Sequence, residues 1–320
     1  MKILLASPID PSAVESLQRG HVCQQLAKPE PWELRDAVAG SEAVVLRSGV
    51  LLSADVLAAA PDLRLVVRAG SGLDNIDVDC ARDRGIRVVR IAGMSGPPVA
   101  EFTFALLLSL ARKVSLADRM LRTGHWPKPE LGGPLLHGKV LGVVGAGNIG
   151  GLVGQMGSAW GMRVLGCVAH PSTEVAGRLA RRGITLADFD QVVANADFVT
   201  LHVPLDDSTH HLVDAPVLDQ MKPGSLLVNV ARGGVVDEKA LHEALVNGTS
   251  LAGAALDVHE TEGEGTVSPL AELPNVVLTP HIGAMALDSQ RLIGERVVEL
   301  IDAFHQGRLD QEVRDGEHVV

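Results

Sequence analysis

The sequence predicts an α/β protein made of two doubly wound parallel-sheet domains. Three observations carry that prediction. Short, continuous apolar runs recur with helical stretches between them, the pattern of parallel strands covered on both faces. At 320 residues the chain is long enough to bury two cores. A glycine-rich turn lies between an apolar run and a helical stretch near the middle of the chain.

In the first series, an apolar run at residues 3–6 leads to Asp10-Pro11, which reads as the N-cap and first residue of a helix. Further apolar runs cover residues 43–46, 65–67 and 86–89, and Gly96-Pro97-Pro98 then breaks the chain. From Pro98 to about Lys113 a long helix is expected. Its apolar residues, Val99, Phe102, Phe104, Leu106, Leu107 and Leu110 among them, point to nearly all sides. Such a helix needs cover all round, which places it at a domain or subunit boundary and predicts a symmetric homodimer. The second series begins at Lys139, with strands expected at residues 140–144, 163–168, 198–202, 226–230, 253–256 and 276–279. Six strands is the count of a dinucleotide-binding sheet. One more helix is expected over about 288–304. The two series could stand in tandem, or the final helix could return to the first domain.

Composition narrows the function. Hydrophobic residues at 46% and charged residues at 21% exclude a disordered chain. Lys and Arg number 28 against 39 Asp and Glu, a formal charge of −11, which argues against nucleic acid or an anionic membrane as partner. Aromatics make up 2% and Tyr is absent, so stacking platforms for single strands are not expected either. Cys23, Cys80 and Cys167 have no metal-ligand spacing, so no metal is expected. They read as free thiols in a reducing compartment. The first apolar residues are too few for a signal peptide, and the stretch at 104–111 is far short of a membrane span. A cytoplasmic location is the expectation.

Gly145-Ala146-Gly147-Asn148-Ile149-Gly150 matches GxGxxG. The motif is weak alone and strong between a strand and a helix, which is its context here. Gly145 permits the tight turn, Gly147 lets the backbone approach a pyrophosphate, and Gly150 lets helix and sheet pack closely. The N–H groups opening the helix then face phosphate. A nicotinamide dinucleotide, NAD(P)(H), is the expected cofactor. An acidic residue should end the next strand and bind the adenosine ribose. The sequence there is Val168-Ala169-His170-Pro171, with no carboxylate before Glu174 and no Arg before Arg178. His170 could donate to ribose or phosphate. These residues leave NAD against NADP open, and only the family resemblance given below slightly favours NAD.

Three polar positions follow strands of this same sheet. Arg232 comes after an apolar strand and is followed by Gly233 and Gly234, so a planar cation stands where open α/β sheets bind ligands. Glu260, Glu262 and Glu264 lie in one acidic loop, and spacing does not choose among them. His281 follows Pro280 after the last strand.

At this point the chain resembles the NAD(P)-dependent D-isomer-specific 2-hydroxyacid dehydrogenases over nearly its whole length. The resemblance is carried by Arg68-Ala69-Gly70-Ser71-Gly72-Leu73-Asp74-Asn75, by the glycine motif, and by His202-Val203-Pro204-Leu205. Asn229-Val230-Ala231-Arg232-Gly233-Gly234, Ala255-Leu256-Asp257-Val258 and Pro280-His281-Ile282-Gly283 extend it. It implies two Rossmann-like domains. The substrate domain would be discontinuous, residues 1–97 plus 285–320, around a dinucleotide-binding domain at 98–284. It implies Arg232 as the clamp of the substrate carboxylate, His281 as general acid and base, and Glu262 as the carboxylate partner that raises the histidine's pKa. Asp257 matches the residue beside the nicotinamide carboxamide. Backbone N–H groups at Ser71 and Gly72 match the loop that holds the substrate carboxylate, and Arg47 matches a phosphate-contacting segment of phosphoglycerate dehydrogenases. Asn148, Ile149, His202, Val203, Pro204, Thr209, Val230, Ala231 and Gly283 complete the expected cofactor contacts.

The resemblance implies an oxidoreductase that moves a hydride between the cofactor and a 2-keto acid/D-2-hydroxy acid pair. A phosphite-type dehydrogenase would keep the same Arg, Glu and His. A dinucleotide-sensing, corepressor-like binding protein would share the fold. The sequence departs from the family at the missing ribose acid, at His259 where Phe or Tyr is usual, and at Gly263 where Pro follows the glutamate. It departs again at Arg90-Ile91-Ala92-Gly93-Met94-Ser95, which replaces an Asn-Thr-Pro stretch, and at Leu51 where a Lys is usual.

Overall fold

Apolar β-branched and leucine runs form buried strands, and the helices between them carry one apolar stripe each. In a computed structural model, which describes residues 1–27, 29–248 and 251–320, the order begins β1 (Lys2–Leu5), α1 (Pro11–Gln18), β2 (Val22–Gln25), α2 (Pro31–Val38), β3 (Ala43–Leu46). It continues with α3 (Ala54–Ala58), β4 (Leu65–Arg68), α4 (Val78–Asp83) and β5 (Arg87–Arg90). Next come α5 (Gly96–Ala111), α6 (Val114–Arg122), β6 (Val140–Val144), α7 (Asn148–Ala159), β7 (Arg163–Cys167), α8 (Thr173–Ala180) and β8 (Ile184–Leu186). The chain then runs through α9 (Phe189–Asn195), β9 (Phe198–Leu201), α10 (Ala215–Gln220), β10 (Ser225–Asn229), α11 (Glu238–Asn247), β11 (Leu251–Leu256) and β12 (Val276–Leu278). It ends with α12 (Leu287–His305) and α13 (Leu309–Glu312).

Two units separate by their internal contacts. One is Met1–Ser95 with Met285–Val320, and the other is Gly96–Ala284. Gly96 and Pro97 open α5 and so go with the second unit.

The first unit is built on a five-stranded parallel sheet of order β2-β1-β3-β4-β5. Asp10 caps α1 by accepting from Ser12 N at 2.9 Å, as its sequence suggests. The helix α12 returns to this unit. Its Ile293, Val297, Leu300 and Ile301 pack with Ile3, Leu5, Val45 and Val67 in one core. Gly294 lets it approach α1, because a Cβ there would lie 2.9 Å from Ala13 Cβ. The strand β2 is absent from the apolar runs of the sequence. It is an edge strand with Gln24 and Gln25, and Val22 is 70% exposed, so burial never demanded an apolar run.

The second unit carries a seven-stranded parallel sheet of order β12-β11-β10-β9-β6-β7-β8. The expected count of six is corrected by β8, a three-residue edge strand in which only Ile184 is buried. Strand order reverses between β6 and β9, and ligands bind outside the carboxyl ends of strands at such a switch point.

The helix α5 corrects the expectation of burial on all sides. Phe104, Leu106, Leu107 and Leu110 are buried in the second unit's core, but Pro97, Glu101 and Ala105 form an exposed stripe. The apolar surface left open lies further along. α6 has no buried residue, and Val114, Leu121, Trp126 and Leu135 are all more than half exposed. Among the described residues no helix is long and apolar enough to cross a membrane.

Candidate functional site

The glycine motif forms the turn between β6 and α7. Gly145 adopts φ 87°, and a Cβ there would meet His202 O at 2.6 Å, so the loops after β6 and β9 touch at the switch point. A Cβ on Gly150 would lie 2.3 Å from Gly145 O. Nothing stands within 4 Å of a Cβ on Gly147, which leaves its backbone open to a ligand. Gly147 is the N-cap of the twelve-residue α7, so the N–H groups of Asn148 and Ile149 open the helix. An open glycine at the head of a helix fits a pyrophosphate.

The neighbouring strand ends frame this cradle. Cys167 O accepts from Gly145 N at 3.1 Å and from Ala146 N at 2.8 Å, which ties the turn to β7. Beyond it Val168 is half-buried and His170 is exposed, with no carboxylate between them. After β9, the His202 ring nitrogen Nε2 lies 3.0 Å from Thr200 Oγ1, and burial pushes its pKa down to about 3, so the ring is neutral at neutral pH. Val203 is half-buried and Pro204 exposed. Thr209 Oγ1 donates to Pro204 O at 2.7 Å and accepts from Asp206 N at 2.9 Å, closing that loop.

The polar residues after β10, β11 and β12 interlock. Asn229, buried at the end of β10, accepts from Ala231 N at 3.0 Å and donates to Arg232 O at 3.0 Å. This shapes the turn of Val230, Ala231 and Arg232. Arg232 Nη1 donates to Ala231 O at 2.7 Å. A Cβ on Gly233 would sit 1.8 Å from His259 O, so only glycine lets the Arg232 turn lie against the loop after β11.

Asp257 directly follows β11 and is 2% exposed. Its Oδ1 accepts from Thr279 Oγ1 at 2.7 Å and from Ile282 N at 2.9 Å, and its Oδ2 accepts from Gly283 N at 2.8 Å. Its carbonyl accepts from His281 N at 2.7 Å. These bonds hold His281 at φ 55°, a left-handed conformation rare outside glycine. The His281 ring then lies against Glu262, with Nδ1 2.9 Å from Oε2 and 3.2 Å from Oε1.

Of the three glutamates in the loop, Glu262 is therefore the one on the imidazole. Burial opposes its ionisation, but the His281 hydrogen bond and charge and the His259 N–H hold it below the usual carboxylate range. Glu260 serves another purpose. It accepts from Glu238 N at 3.2 Å and bonds the His211 ring at 3.0 Å, while its own N–H donates to Glu238 at 2.8 Å.

Three expected substrate contacts, Arg47, Ser71 and Gly72, lie on the first unit. Arg47 follows β3 and is half-buried, and Ser71 and Gly72 follow β4. Among the described residues no group of three or more His, Cys, Asp or Glu could hold a metal ion.

Residues 104–283 match the profile described as "D-isomer specific 2-hydroxyacid dehydrogenase, NAD binding domain". The chain belongs to this family. It is 38% identical over 304 residues to a hydroxypyruvate reductase of Thermotoga maritima, covering 94% of this chain and 97% of that protein. It is 41% identical over 299 residues to a D-3-phosphoglycerate dehydrogenase of Mycobacterium tuberculosis, covering 93% of this chain and 56% of that protein. The chain thus spans about half the length of that relative. Among solved structures it resembles the D-lactate dehydrogenase of Aquifex aeolicus complexed with NAD and lactic acid, with a TM-score of 0.86, 29% identity, and coverage of 100% of this chain and 99% of that one.

In this member of the dehydrogenase family, sequence reasoning missed the residues that build the His281 turn. Asn229 ends β10 and Thr279 directly follows β12, polar residues closing apolar runs, a signal that was present. His259 carried less warning. Its Nε2–H donates to Thr279 O at 3.0 Å, which leaves Nδ1 buried and without a hydrogen-bond partner among the described residues.

Proposed function

We propose that the protein is an NAD(P)-dependent D-2-hydroxyacid dehydrogenase acting as a 2-keto acid reductase. The observation that carries this reading is the His281–Glu262 pair at 2.9 Å, held beyond the strand ends of a sheet that also presents Arg232 and the open Gly147 turn. A carboxylate only accepts, so the Nδ1 proton of His281 points at Glu262 and Nε2 is the atom left to hold or release a proton. When bound, the cofactor supplies the hydride. As charge builds on the ketone oxygen, the proton on Nε2 moves to it, and Glu262 stabilises the imidazolium before transfer. The planar Arg232 guanidinium orients the substrate carboxylate and adds positive potential near the developing oxyanion. On the first unit, the resemblance assigns substrate contacts to the backbone N–H groups of Ser71 and Gly72 and to Arg47. The dinucleotide is held by Gly145, Gly147, Asn148, Ile149 and Gly150 at its phosphates and by the loops after β9, β10 and β12. The phosphite-type and corepressor-like readings rest on the same residues, and no observation favours either. The location we infer is the cytoplasm, which cell fractionation tests.

His281→Ala is expected to lower turnover on the true 2-keto acid by ~10²–10⁴-fold while cofactor still binds. Arg232→Lys is expected to fail as well, because a point charge does not reproduce a planar fork. Stopped-flow turnover beside cofactor fluorescence titration checks both. A near-normal rate in the His281 variant would remove the assignment.

For the cofactor, Val168, Ala169 and His170 offer neither a carboxylate to repel a 2′-phosphate nor an Arg to pair it. Weak discrimination is therefore expected, with NAD slightly ahead. Val168→Asp should sharpen preference for NAD, and His170→Arg should move it toward NADP. The ratio of kcat/KM for the two reduced cofactors reads this out. A wild-type preference beyond about a thousandfold would contradict it, since that exceeds the worth of one charge-assisted hydrogen bond.

We also propose a homodimer in which a second copy covers α5 and α6. The support is the exposed stripe on α5 and the exposed Val114, Leu121, Trp126 and Leu135. A pocket of about 250 Å³ nearby is lined by Leu110, Leu116, Leu226 and Val276 and widens that apolar surface. Analytical ultracentrifugation at micromolar concentration should give a dimer that Leu121→Glu weakens, and a wild-type monomer would contradict the arrangement.

A further inference from the structure

His259 touches each segment that carries a residue of the site. Its backbone N–H donates to Glu262 Oε1 at 3.2 Å. Its carbonyl oxygen would stand 1.8 Å from a Cβ on Gly233, so it backs the turn that carries Arg232. Its ring Nε2–H donates to Thr279 O at 3.0 Å, two residues before His281. The side chain is 14% exposed, and Glu238 Oε1 stands off from Nδ1 at 3.9 Å, beyond hydrogen-bond distance. Nδ1 is buried without a partner, so the bond to Thr279 O is the ring's one hydrogen bond among the described residues. Burying a ring nitrogen unpaired is costly, and the Phe usual here would fill the space without that cost. Packing alone therefore does not account for an imidazole at this position, whereas its other nitrogen has a use.

That use falls where the sheet stops holding the two segments together. Leu256 and Leu278 are the last residues of β11 and β12 in register, and Thr279 N donates to Leu256 O at 3.0 Å just beyond them. Residues 260–267 are then all exposed, with Glu262 among them. Gly263, which follows it, adopts φ 142°, an angle closed to proline, whose ring holds φ near roughly −65°. Glycine is also the freest residue in backbone conformation, so this loop lacks the stiffness that the proline usual there would bring. Glu260 ties the loop to Glu238 at the start of α11. The His259 ring ties it to the segment that bears His281. Asp257 thus fixes the histidine half of the pair, and His259 steadies the glutamate half. The His259 N–H, and positive charge on its ring, are also among the causes that hold Glu262 ionised.

We propose that His259 is a positioning residue for the His281–Glu262 pair. Its ring N–H on Thr279 O holds the Glu262 loop against the His281 turn, in place of the stiffness lost at Gly263. This deepens the proposed function and rests on it for the catalytic consequence, while the positioning lies within the second unit and is read without turnover.

The test compares two variants. His259→Phe fills the space without a donor, and His259→Gln keeps an N–H at the depth of Nε2. The first readout is the low-field proton resonance of His281 Nδ1 in cofactor-free protein, assigned by its loss in His281→Ala. It should weaken or move upfield in His259→Phe and stay in place in His259→Gln. The second is turnover of whichever of glyoxylate, hydroxypyruvate, pyruvate and phosphohydroxypyruvate the wild type reduces fastest. In His259→Phe kcat should fall about three- to tenfold, the worth of one neutral hydrogen bond, while KM and the cofactor Kd stay near wild type. His259→Gln should recover most of that loss. If His259→Phe does not fold, His259→Leu takes its place with the same two expected losses. An unchanged resonance and kcat in His259→Phe would show that the ring only fills space and would overturn the proposal. Equal losses in the Phe and Gln variants would overturn it too, because shape rather than the donor would then matter. A wild type that reduces no 2-keto acid, with a resonance lost in His259→Phe and kept in His259→Gln, would refute the proposed activity and leave the positioning standing.

Discussion

The site depends on one buried carboxylate. Asp257 gathers Thr279 Oγ1, Ile282 N and Gly283 N on its side chain and His281 N on its carbonyl. Four donors on one residue fix the path of the chain after β12, including the left-handed φ of His281. Without that turn the imidazole would not reach Glu262. The arrangement also answers the cost of burying a charge at 2% exposure, because each hydrogen bond replaces a lost contact with water. Asp257 N donates in turn to Asn229 O at 2.9 Å, and the Asn229 side chain shapes the Arg232 turn. Arg232 and His281 are therefore placed by one connected set of hydrogen bonds, and parallel strand register brings its members side by side.

Much of this was legible in the sequence because burial writes itself into composition. β3, β4, β6, β9 and β10 are buried along their whole length and read as continuous apolar runs. The glycine motif was legible for a stricter reason. At Gly145 and Gly150 a Cβ would strike the backbone, so no other residue is tolerated. Arg232 and His281 stood out as polar residues following apolar strands.

What the sequence hid is equally physical. The edge strands β2 and β8 pair on one side only, so they lack the apolar signature by which strands were recognised. Glu260 and Glu262 have the same chemistry two positions apart. Only the fold sends one to His211 and the N-terminus of α11 and the other to His281. The apolar character of α5 was overread, since its own unit covers most of it and the open surface lies on α6. The arginines at the ends of β4 and β5 lie 22 residues apart in sequence, and register alone makes them neighbours.

The account stands or falls on whether Asp257 holds the His281–Glu262 hydrogen bond in place. The most direct measurement is the low-field proton resonance of His281 Nδ1, assigned by its loss in His281→Ala and followed in Asp257→Asn. An amide at position 257 would turn an N–H toward one or more of the loop's donors, so the turn should relax. The resonance should then vanish, in a protein that still unfolds cooperatively. A resonance unchanged in Asp257→Asn would show that the pair is positioned by something other than this carboxylate.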